Sequence, residues 1–490
     1  MIKRCLALSL LSFAVLSVAA VWLGALNQDE GWYLYAAGLV GDGKMPYRDF
    51  FFTQGPLLPL VYSGFSFFWE MWGILGGRVL TWILGALSIV FSVALARRLV
   101  EPENRGVAGL TVFLLLGSNL YHLYYISIPK TYALGGLFVA MGFYNMTFAG
   151  ARSRQALAAV FMAGACLAFA AGARVSLGML PVVVMVYLVY CRRWAASAAF
   201  AAGGLFAFIA VYGVFLFDAK ALDGLIEAQR YHSARGGFDP VFTVGSVSRL
   251  VRWYLPAFIV LGMGAFCGGN FRRSALPLSG FAAVFILQLL APFPYEDYQV
   301  PVMGLMAAGA AAAFAGSDCG FNGPKSKVLL VLGMVYACSF GSPLLEKWMT
   351  NGQDRFWSIK KDKCELAQLR DVARRIEAID PGGGELLTQD LYLAIETGRK
   401  VPAGLEMGPF SMLTDEEWMK LLETQNCKVA ALSGYTFAIN PPKCDETPME
   451  RQLKYWKVLR GRYDLVEKED YFGQNQTTLL LLKFRQEVGR

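Results

Sequence analysis

Histidine is nearly missing from this sequence. Only His122 and His232 occur among the 490 residues, and they lie far apart in the chain. Because protein zinc sites are built largely from closely spaced histidine and cysteine ligands, this scarcity argues against a histidine-based metal centre. No other spacing typical of metal ligands stands out, so we expect neither a bound metal nor a cofactor.

Charged residues are also scarce. They make up 17% of the chain, whereas a soluble domain contains about 25%, and hydrophobic residues reach 56%. Residues 1–345 hold only short clusters of charge, while the region from 350 onward has the composition of a soluble protein. We therefore predict a polytopic α-helical membrane domain over residues 1–348 and a soluble domain over residues 349–490.

Cysteines carry little information here. There are nine, and six lie in or beside apolar runs, where cysteine usually acts as a small hydrophobic residue. Cys364, Cys427 and Cys444 fall in the soluble part, and an odd number leaves at least one thiol free. A bridge between Cys427 and Cys444 remains open.

Long apolar runs are abundant, and eleven of them can cross a bilayer. They lie near residues 5–26, 73–96, 106–126, 131–149, 155–171, 175–191, 195–217, 253–271, 275–291, 299–316 and 327–345. The first run is longer than the apolar core of a typical signal peptide, so we favour a retained span, with a cleaved leader as the alternative.

Basic pairs between the runs indicate the orientation. If Lys3 and Arg4 are cytoplasmic, each following inner loop of an eleven-span chain carries a basic pair, as the positive-inside rule requires. These pairs are Arg97-Arg98, Arg152-Arg154, Arg192-Arg193, Arg272-Arg273 and Lys325-Lys327. The net charge of +8 therefore indicates contact with a lipid bilayer and not with a nucleic acid. The N-terminus is predicted to be cytoplasmic and the C-terminal domain extracytoplasmic.

Residues 27–72 form a long outer loop in this topology. Its second half, 56–72, is rich in aromatic residues, which favour the water–lipid interface, and we interpret it as an interfacial helix. The loop also begins with the acids Asp29 and Glu30, directly after an apolar run. Acids at a membrane boundary are costly and are usually functional.

The C-terminal region predicts an α/β domain. Helical spacing of apolar residues over 364–379 is followed by strand-like runs near 385–389, 428–433 and 477–484. Helical segments near 391–397, 415–425 and 449–460 lie between them, and such alternation is typical of α/β domains.

The first outer loop resembles the glycosyltransferase C superfamily. It is most similar to its polyprenyl-phosphate-sugar-dependent members, the protein O-mannosyltransferases and the aminoarabinose lipid A transferases. The resemblance rests on Asp29-Glu30, Tyr33, Ala36-Ala37, Pro46-Tyr47, Gly55-Pro56-Leu57, Arg78 and the late Asp297-Tyr298-Gln299-Val300-Pro301. It covers residues 27–80 well, residues 81–320 weakly and the C-terminal domain not at all.

Three departures separate this chain from the family pattern. Gln54 and Gly55 stand where the aminoarabinose enzymes have a lysine before the proline, and Asp297 replaces the histidine of the late motif. A second outer-loop acid also has no counterpart, since residues 127–131 contain only Lys130. The resemblance therefore implies the type of reaction better than the identity of the substrates.

The resemblance implies inverting sugar transfer from a polyprenyl-phosphate donor to an extracytoplasmic glycolipid, lipid-linked glycan or protein. It also implies an integral protein of the bacterial inner membrane. A base must take the proton of the acceptor hydroxyl, and Asp29 is the candidate, with Glu30 orienting the site or binding sugar hydroxyls. An N-cap of the following helix is the structural alternative for Asp29.

The departing phosphate requires positive charge. The candidates are the outer-face cations Arg78, Arg48, Lys44, Arg174 and Lys130, although a lone basic residue at a span end often only reaches toward lipid headgroups. For substrate binding we expect contributions from Tyr33, Gln54, Asp297 and Tyr298, and from Tyr231 in a second outer loop. Interface aromatics need no such role.

Two other functions fit the composition. A transporter or flippase of lipid-linked or envelope precursors would be expected to show inverted repeats, broken spans or charges at the membrane midplane, and the sequence shows no such repeat. A non-catalytic anchor for the C-terminal domain leaves the acidic outer loop unexplained.

Overall fold

The computed structural model describes residues 2–151, 153–233, 238–269, 271–291, 293–317, 323–340, 364–434 and 448–485. Arg152, Cys444 and the predicted domain boundary at 348/349 lie outside these residues, so the pairing of Cys427 with Cys444 stays open.

The membrane-domain region is almost wholly helical. Its helices are α1 Ile2–Leu23, α2 Gln28–Gly41, α3 Leu57–Ser63, α4 Phe67–Trp72, α5 Ile74–Leu99, α6 Arg105–Gly117, α7 Leu120–Tyr125, α8 Thr131–Met146, α9 Arg154–Ala173, α10 Met179–Tyr190, α11 Trp194–Leu216, α12 Ala219–Ser233, α13 Pro240–Trp253, α14 Leu255–Phe266, α15 Ala275–Leu289, α16 Met303–Ala315 and α17 Pro324–Phe340. Short 3₁₀ turns occupy Pro102–Asn104, Val175–Gly178 and Glu296–Val302.

Each of the eleven predicted spans contains a helix, but several helices are short or broken. In the described part of the chain, five helices are long and apolar enough to cross a membrane, or six if α13 and α14, bent by 81°, form one span. The predicted run 106–126 divides into α6 and α7, because Asn119 caps a new helix there. A polytopic helical membrane protein is supported, whereas the count of eleven stays a prediction.

The C-terminal region folds around a small mixed sheet. Its helices are α18 Glu365–Ile379, α19 Leu391–Thr397, α20 Asp415–Thr424 and α21 Pro448–Arg462, with a 3₁₀ turn at Gly408–Phe410, and its strands are β1 Leu386–Leu387, β2 Val429–Leu432, β3 Tyr463–Phe472 and β4 Thr477–Phe484. The strand order is β1-β2-β4-β3, with β1 and β2 parallel and the other pairs antiparallel. The sequence did not predict β3, whose charged residues suit its position at the sheet edge.

The buried apolar residues form two clusters. One joins the membrane helices to one another. The other joins the predicted outer loop to the C-terminal region, for example Trp32 and Leu34 with Leu391 and Leu432. The outer loop and the C-terminal region therefore share a core, and the division at residue 348 does not separate their packing.

Helix α2 lies at the centre of this second cluster. It begins with a capping box, in which the Asn27 side chain accepts a hydrogen bond from Asp29 N–H and Glu30 accepts one from Asn27 N–H. The C-terminal region touches α2 along its length: Gln28 Nε2 donates to Asp390 over 2.5 Å, and Val401 N–H donates to the Tyr35 hydroxyl over 3.0 Å. The C-terminal region is thereby fixed against the loop that carries Asp29.

Gly31 provides a test of this contact. A Cβ atom at Gly31 would lie 2.3 Å from the backbone nitrogen of Tyr392, so Gly31→Ala is expected to destabilise the protein by about 1–3 kcal/mol through overpacking. Gly38→Ala on the same helix is the matched control, because nothing lies within 4 Å of its Cβ position and alanine favours helix. Thermal unfolding in detergent should show a lower midpoint only for Gly31→Ala; equal midpoints would contradict the close approach.

Candidate functional site

A cavity of about 410 Å³ opens at the N-terminal end of α2. Its walls come from α2, the segments before α8 and α10, the 3₁₀ turn Glu296–Val302 and two turns of the C-terminal region. Eight of the predicted site residues line it: Asp29, Tyr33, Gln54, Lys130, Arg174, Tyr231, Asp297 and Tyr298. Residues separated by more than 260 positions in sequence thus face one space.

Asp29 stands in the first turn of α2, and its side chain is 25% exposed. Its Oδ1 accepts a hydrogen bond of 2.9 Å from Trp32 Nε1, and its Oδ2 lies 2.8 Å from Lys130 Nζ. The N-cap of α2 is Asn27 and not Asp29, so the interpretation of Asp29 as the helix cap is wrong. Its carboxylate is directed to the cavity and not to the helix backbone.

Lys130 joins two carboxylates across the cavity. Besides Asp29, its Nζ contacts Asp297 Oδ2 at 3.2 Å, and the same oxygen accepts a hydrogen bond of 2.8 Å from the Tyr132 hydroxyl. Burial alone would lower the pKa of Lys130. The negative charges of Asp29 and Asp297 outweigh this effect, together with the neighbouring tyrosines, and the pKa lies well above its ordinary value. The ammonium group is therefore charged at all physiological pH values.

Arg174 is the second cation on the cavity wall. It follows α9 directly, and its guanidinium lies 4.2 Å from the centroid of the Tyr298 ring and 5.3 Å from that of Tyr132. Among the described residues it forms no ion pair, and its buried Nε has no hydrogen-bond partner. A guanidinium held between aromatic faces without a carboxylate has its charge available for an anion.

Glu30 and Arg78 form a separate pair away from the cavity. Arg78 Nε and Nη2 contact the Glu30 carboxylate at 2.6 and 2.7 Å, and both side chains are 0% exposed. The remaining Arg78 donors bind the carbonyl oxygens of Val21, Gly24 and Ala25. All five N–H donors of the buried Arg78 guanidinium are used within the protein, and neither Arg78 nor Glu30 lines the cavity.

Two other predicted phosphate ligands also lie outside the cavity lining. Arg48 pairs with Asp49 at 2.7 Å and lies 3.6 Å from Asp218, and Lys44 is exposed. The Arg48 guanidinium and the Met45 amide lower the pKa of Asp49 to about 2, so this pair of adjacent residues is charged at the protein surface.

Tyr33 forms part of the aromatic wall of the cavity. Its ring stacks on Trp32 with centroids 3.7 Å apart, and burial together with the charge of Asp29 raises its pKa. Phe410 from the C-terminal region meets Trp32 edge-on at 6.4 Å. Flat apolar faces of this kind suit contact with a sugar ring or an isoprenoid chain.

The sequence missed several residues that line the cavity. Three of them lie near predicted residues in the sequence: Tyr125 and Tyr132 near Lys130, and Glu296 next to Asp297. This proximity could have indicated them. Phe410 and Gln474 come from the C-terminal region, and Gln474 accepts a hydrogen bond of 2.7 Å from Gln28 N–H. No local pattern in the sequence marks these two.

Metal ligands do not converge in the described ranges: no three histidine, cysteine, aspartate or glutamate residues there are arranged to hold an ion. Independence from metal stays a prediction that requires an assay.

Comparison with known proteins gives similarity of fold without similarity of sequence. No protein-family model matches the chain, and a search of curated proteins gives no match. The structure is similar to ArnT from Cupriavidus metallidurans in the apo state, with a TM-score of 0.68 and 12% identity over 98% of both chains. The same enzyme bound to undecaprenyl phosphate gives 0.66 and 13% over 99% of both chains.

A more distant similarity is to the oligosaccharyltransferase of Archaeoglobus fulgidus in the apo form. It has a TM-score of 0.51 and 12% identity, over 86% of this chain and 69% of that one. These structures belong to the glycosyltransferase C superfamily. The resemblance that residues 27–80 indicated is confirmed at the level of the fold: this chain has the architecture of a glycosyltransferase C protein.

Proposed function

We propose that this protein is a membrane glycosyltransferase that transfers a sugar from a polyprenyl-phosphate donor to an extracytoplasmic acceptor. The observation that carries the proposal is that one cavity holds both a carboxylate, Asp29, and the guanidinium of Arg174, which forms no ion pair with any described residue. The first is a suitable general base and the second a suitable phosphate ligand. Both groups lie on walls built from separate helices, so a substrate can bind between them.

The donor phosphate is assigned to Arg174 with Lys130. A phosphodiester carries a negative charge that grows as the sugar–oxygen bond breaks, and cations fixed beforehand stabilise this developing charge. Arg174 is the cation fixed beforehand, since it lies against two tyrosine rings, whereas Lys130 is paired with Asp29 and Asp297 on the cavity wall. They replace the lysine that is missing at Gln54 and Gly55.

Asp29 is assigned as the base. It takes the proton of the acceptor hydroxyl while that oxygen attacks the anomeric carbon from the side opposite the phosphate, which inverts the configuration. Asp297, Tyr33, Tyr298 and Gln54 would contact the sugar or the acceptor. Phe410 and Gln474 line the cavity from the C-terminal region and would limit the water that competes with the acceptor.

The fold supports a lipid-linked donor. The similar ArnT structure contains undecaprenyl phosphate, and the expected location here is the bacterial inner membrane. The basic inner loops predict that the cavity opens on the extracytoplasmic side, where the acceptor would be a glycolipid, a lipid-linked glycan or a protein.

The direct test is to incubate the purified protein with a panel of labelled polyprenyl-phosphate sugars and cell-envelope acceptors. Covalent transfer of label, unaffected by EDTA, is the expected result. Movement of a labelled lipid across vesicle membranes without covalent transfer would favour a flippase. Loss of transfer in EDTA with recovery on adding manganese or magnesium would contradict metal independence.

Arg174→Met is expected to weaken use of the donor strongly. Removing a charged hydrogen-bond donor costs about 1.5–3 kcal/mol, which corresponds to a fall in kcat/KM for the donor of roughly ten- to a hundred-fold. Arg174→Lys should recover part of it, since the charge remains but the two-pronged geometry is lost.

Arg48→Met is the matched control, because Arg48 lies outside the cavity lining and is paired at the surface. The measurement is kcat/KM for the donor, from steady-state kinetics at varied donor concentration. Equal kcat/KM for the two methionine variants would remove Arg174 from the phosphate site.

A further inference from the structure

The cavity contains an ion pair that conflicts with the role of Asp29. Lys130 Nζ lies 2.8 Å from Asp29 Oδ2, while Trp32 donates to Oδ1. Each oxygen therefore has a partner in this structure, and the acceptor position of Oδ2 that faces Lys130 is occupied by its ammonium as long as the pair persists. A general base must be within hydrogen-bond reach of the proton it abstracts.

Lys130 has a second carboxylate to which it can remain bound. Asp297 Oδ2 lies 3.2 Å from Nζ, and the Tyr132 hydroxyl holds that oxygen in place at 2.8 Å. If the contact to Asp29 breaks, Lys130 is still paired, so no buried charge is left alone. Leaving one would be strongly destabilising.

Lys130 and Arg174 both lie within reach of the same aromatic ring, that of Tyr132. Its Nζ lies 5.2 Å from the centroid of the Tyr132 ring, and the Arg174 guanidinium carbon lies 5.3 Å from the same centroid. The two cationic centres are thus no farther apart than the sum of these distances. An anion bound to Arg174 would attract the ammonium of Lys130 away from Asp29.

We propose that Lys130 is exchanged between Asp29 and the donor phosphate, so that Asp29 becomes accessible as a base only when the donor is bound. This inference rests on the proposed function. In the empty site Lys130 covers Asp29; when the donor phosphate binds at Arg174, Lys130 moves to it while Asp297 and Tyr132 keep it in the cavity. Lys130 is a positioning residue toward Asp29 and a ligand toward the phosphate.

The exchange is matched to the chemistry of transfer. As the bond between the anomeric carbon and the phosphate oxygen breaks, its electron pair remains on the phosphate, whose negative charge increases. The acceptor proton passes to Asp29, whose negative charge disappears. The attraction of Lys130 therefore shifts toward the phosphate in the same step, which favours the exchanged arrangement in the transition state.

Binding of a polyprenyl phosphate without sugar tests the exchange apart from catalysis. If Asp29 and the phosphate compete for Lys130, Asp29→Asn removes the competitor, and affinity should rise about ten-fold, a modest value for a close charge pair. In the Lys130→Met background Asp29→Asn should change affinity by less than about two-fold, because no lysine remains to be released.

A model in which Lys130 only shields the charge of Asp29 predicts the opposite effect of Lys130→Met on the affinity gain from Asp29→Asn. If Lys130 never leaves Asp29 and only screens its charge, removing Lys130 exposes the repulsion between Asp29 and the phosphate. The gain from Asp29→Asn would then be equal or larger in the Lys130→Met background, and that result would overturn the exchange. Thermal unfolding in detergent identifies variants that fold, and Lys130→Gln replaces Lys130→Met if the latter does not.

A second cycle retains the lysine. In Asp297→Asn, Asp29 is the one carboxylate among the described residues that still pairs with Lys130. Competition with the phosphate should therefore increase, and the gain from Asp29→Asn should exceed that in the wild type. An unchanged gain would contradict the exchange. If neither the wild type nor any variant binds polyprenyl phosphate, the proposed function itself fails, whereas binding without coupling removes only the exchange.

Discussion

Asp29→Asn is expected to abolish sugar transfer while the protein folds and binds its donor. Loss of a positioned general base lowers rates by about a hundred- to ten-thousand-fold. Asparagine has nearly the same shape and still accepts the hydrogen bond of Trp32, and the cap of α2 is supplied by Asn27. The substitution therefore removes the proton acceptor with little change to the helix.

The measurement is single-turnover transfer at saturating donor, together with donor affinity and thermal unfolding. Asp42→Asn is the matched control, since Asp42 lies at the C-terminal end of the same helix and its side chain forms an exposed pair with Lys400. Such pairs contribute at most about 1 kcal/mol. A near-normal rate for Asp29→Asn would require another base, and Asp297 or Glu296 would then be the carboxylates in the cavity to examine, because Glu30 is buried against Arg78.

The sequence predicted site residues best where they lie close together in the chain. Asp29 and Tyr33 are one helical turn apart, so a local motif was enough to place them on one face of α2. Arg174 was one of five outer-face cations that the sequence offered as phosphate ligands, and in the structure it lies against two tyrosine rings. Only the arrangement of Asp29 and Tyr33 follows from neighbours in the sequence, since Tyr132 and Tyr298 are distant from Arg174 in the chain.

Partners from distant parts of the chain could not be predicted in this way. Nothing in the sequence indicates that the Gly408–Phe410 turn and Gln474 reach the cavity, because their approach depends on how the C-terminal sheet packs against α2. The prediction of the membrane spans was limited for a related reason. Hydropathy reports that a run is buried, but it does not distinguish one long helix from two short ones joined by a capped turn, as in α6 and α7.

Arg78 shows most clearly how a motif can be correct while its physical role differs. Its match to the family pattern suggested a phosphate ligand, for which substitution by lysine should preserve part of the donor binding. In the structure its guanidinium is buried against Glu30 and three carbonyl groups at the end of α1 and the start of the outer loop. Arginine can satisfy these acceptors because its guanidinium has five N–H donors in a fixed plane. Lysine has only three N–H donors, all on one nitrogen atom.

Arg78→Met is therefore expected to unfold or strongly destabilise the protein. Removing one partner of a buried ion pair leaves Glu30 without a countercharge and costs about 3–5 kcal/mol. Arg78→Lys should be nearly as damaging, because a single ammonium cannot satisfy both the carboxylate and the three carbonyls. The double change Arg78→Met with Glu30→Gln should recover part of the loss, since no charge is then buried.

Yield of folded protein and the thermal midpoint in detergent measure these effects, with donor affinity determined on the folded fraction. Arg174→Met is the comparison, because it is expected to lower donor affinity with little loss of stability. The two arginines thus give opposite profiles: Arg78 acts through stability, and Arg174 acts through the donor. If Arg78→Lys instead folds normally and loses donor binding, the phosphate role that the motif suggested would be restored, and Glu30 would belong to the site together with it.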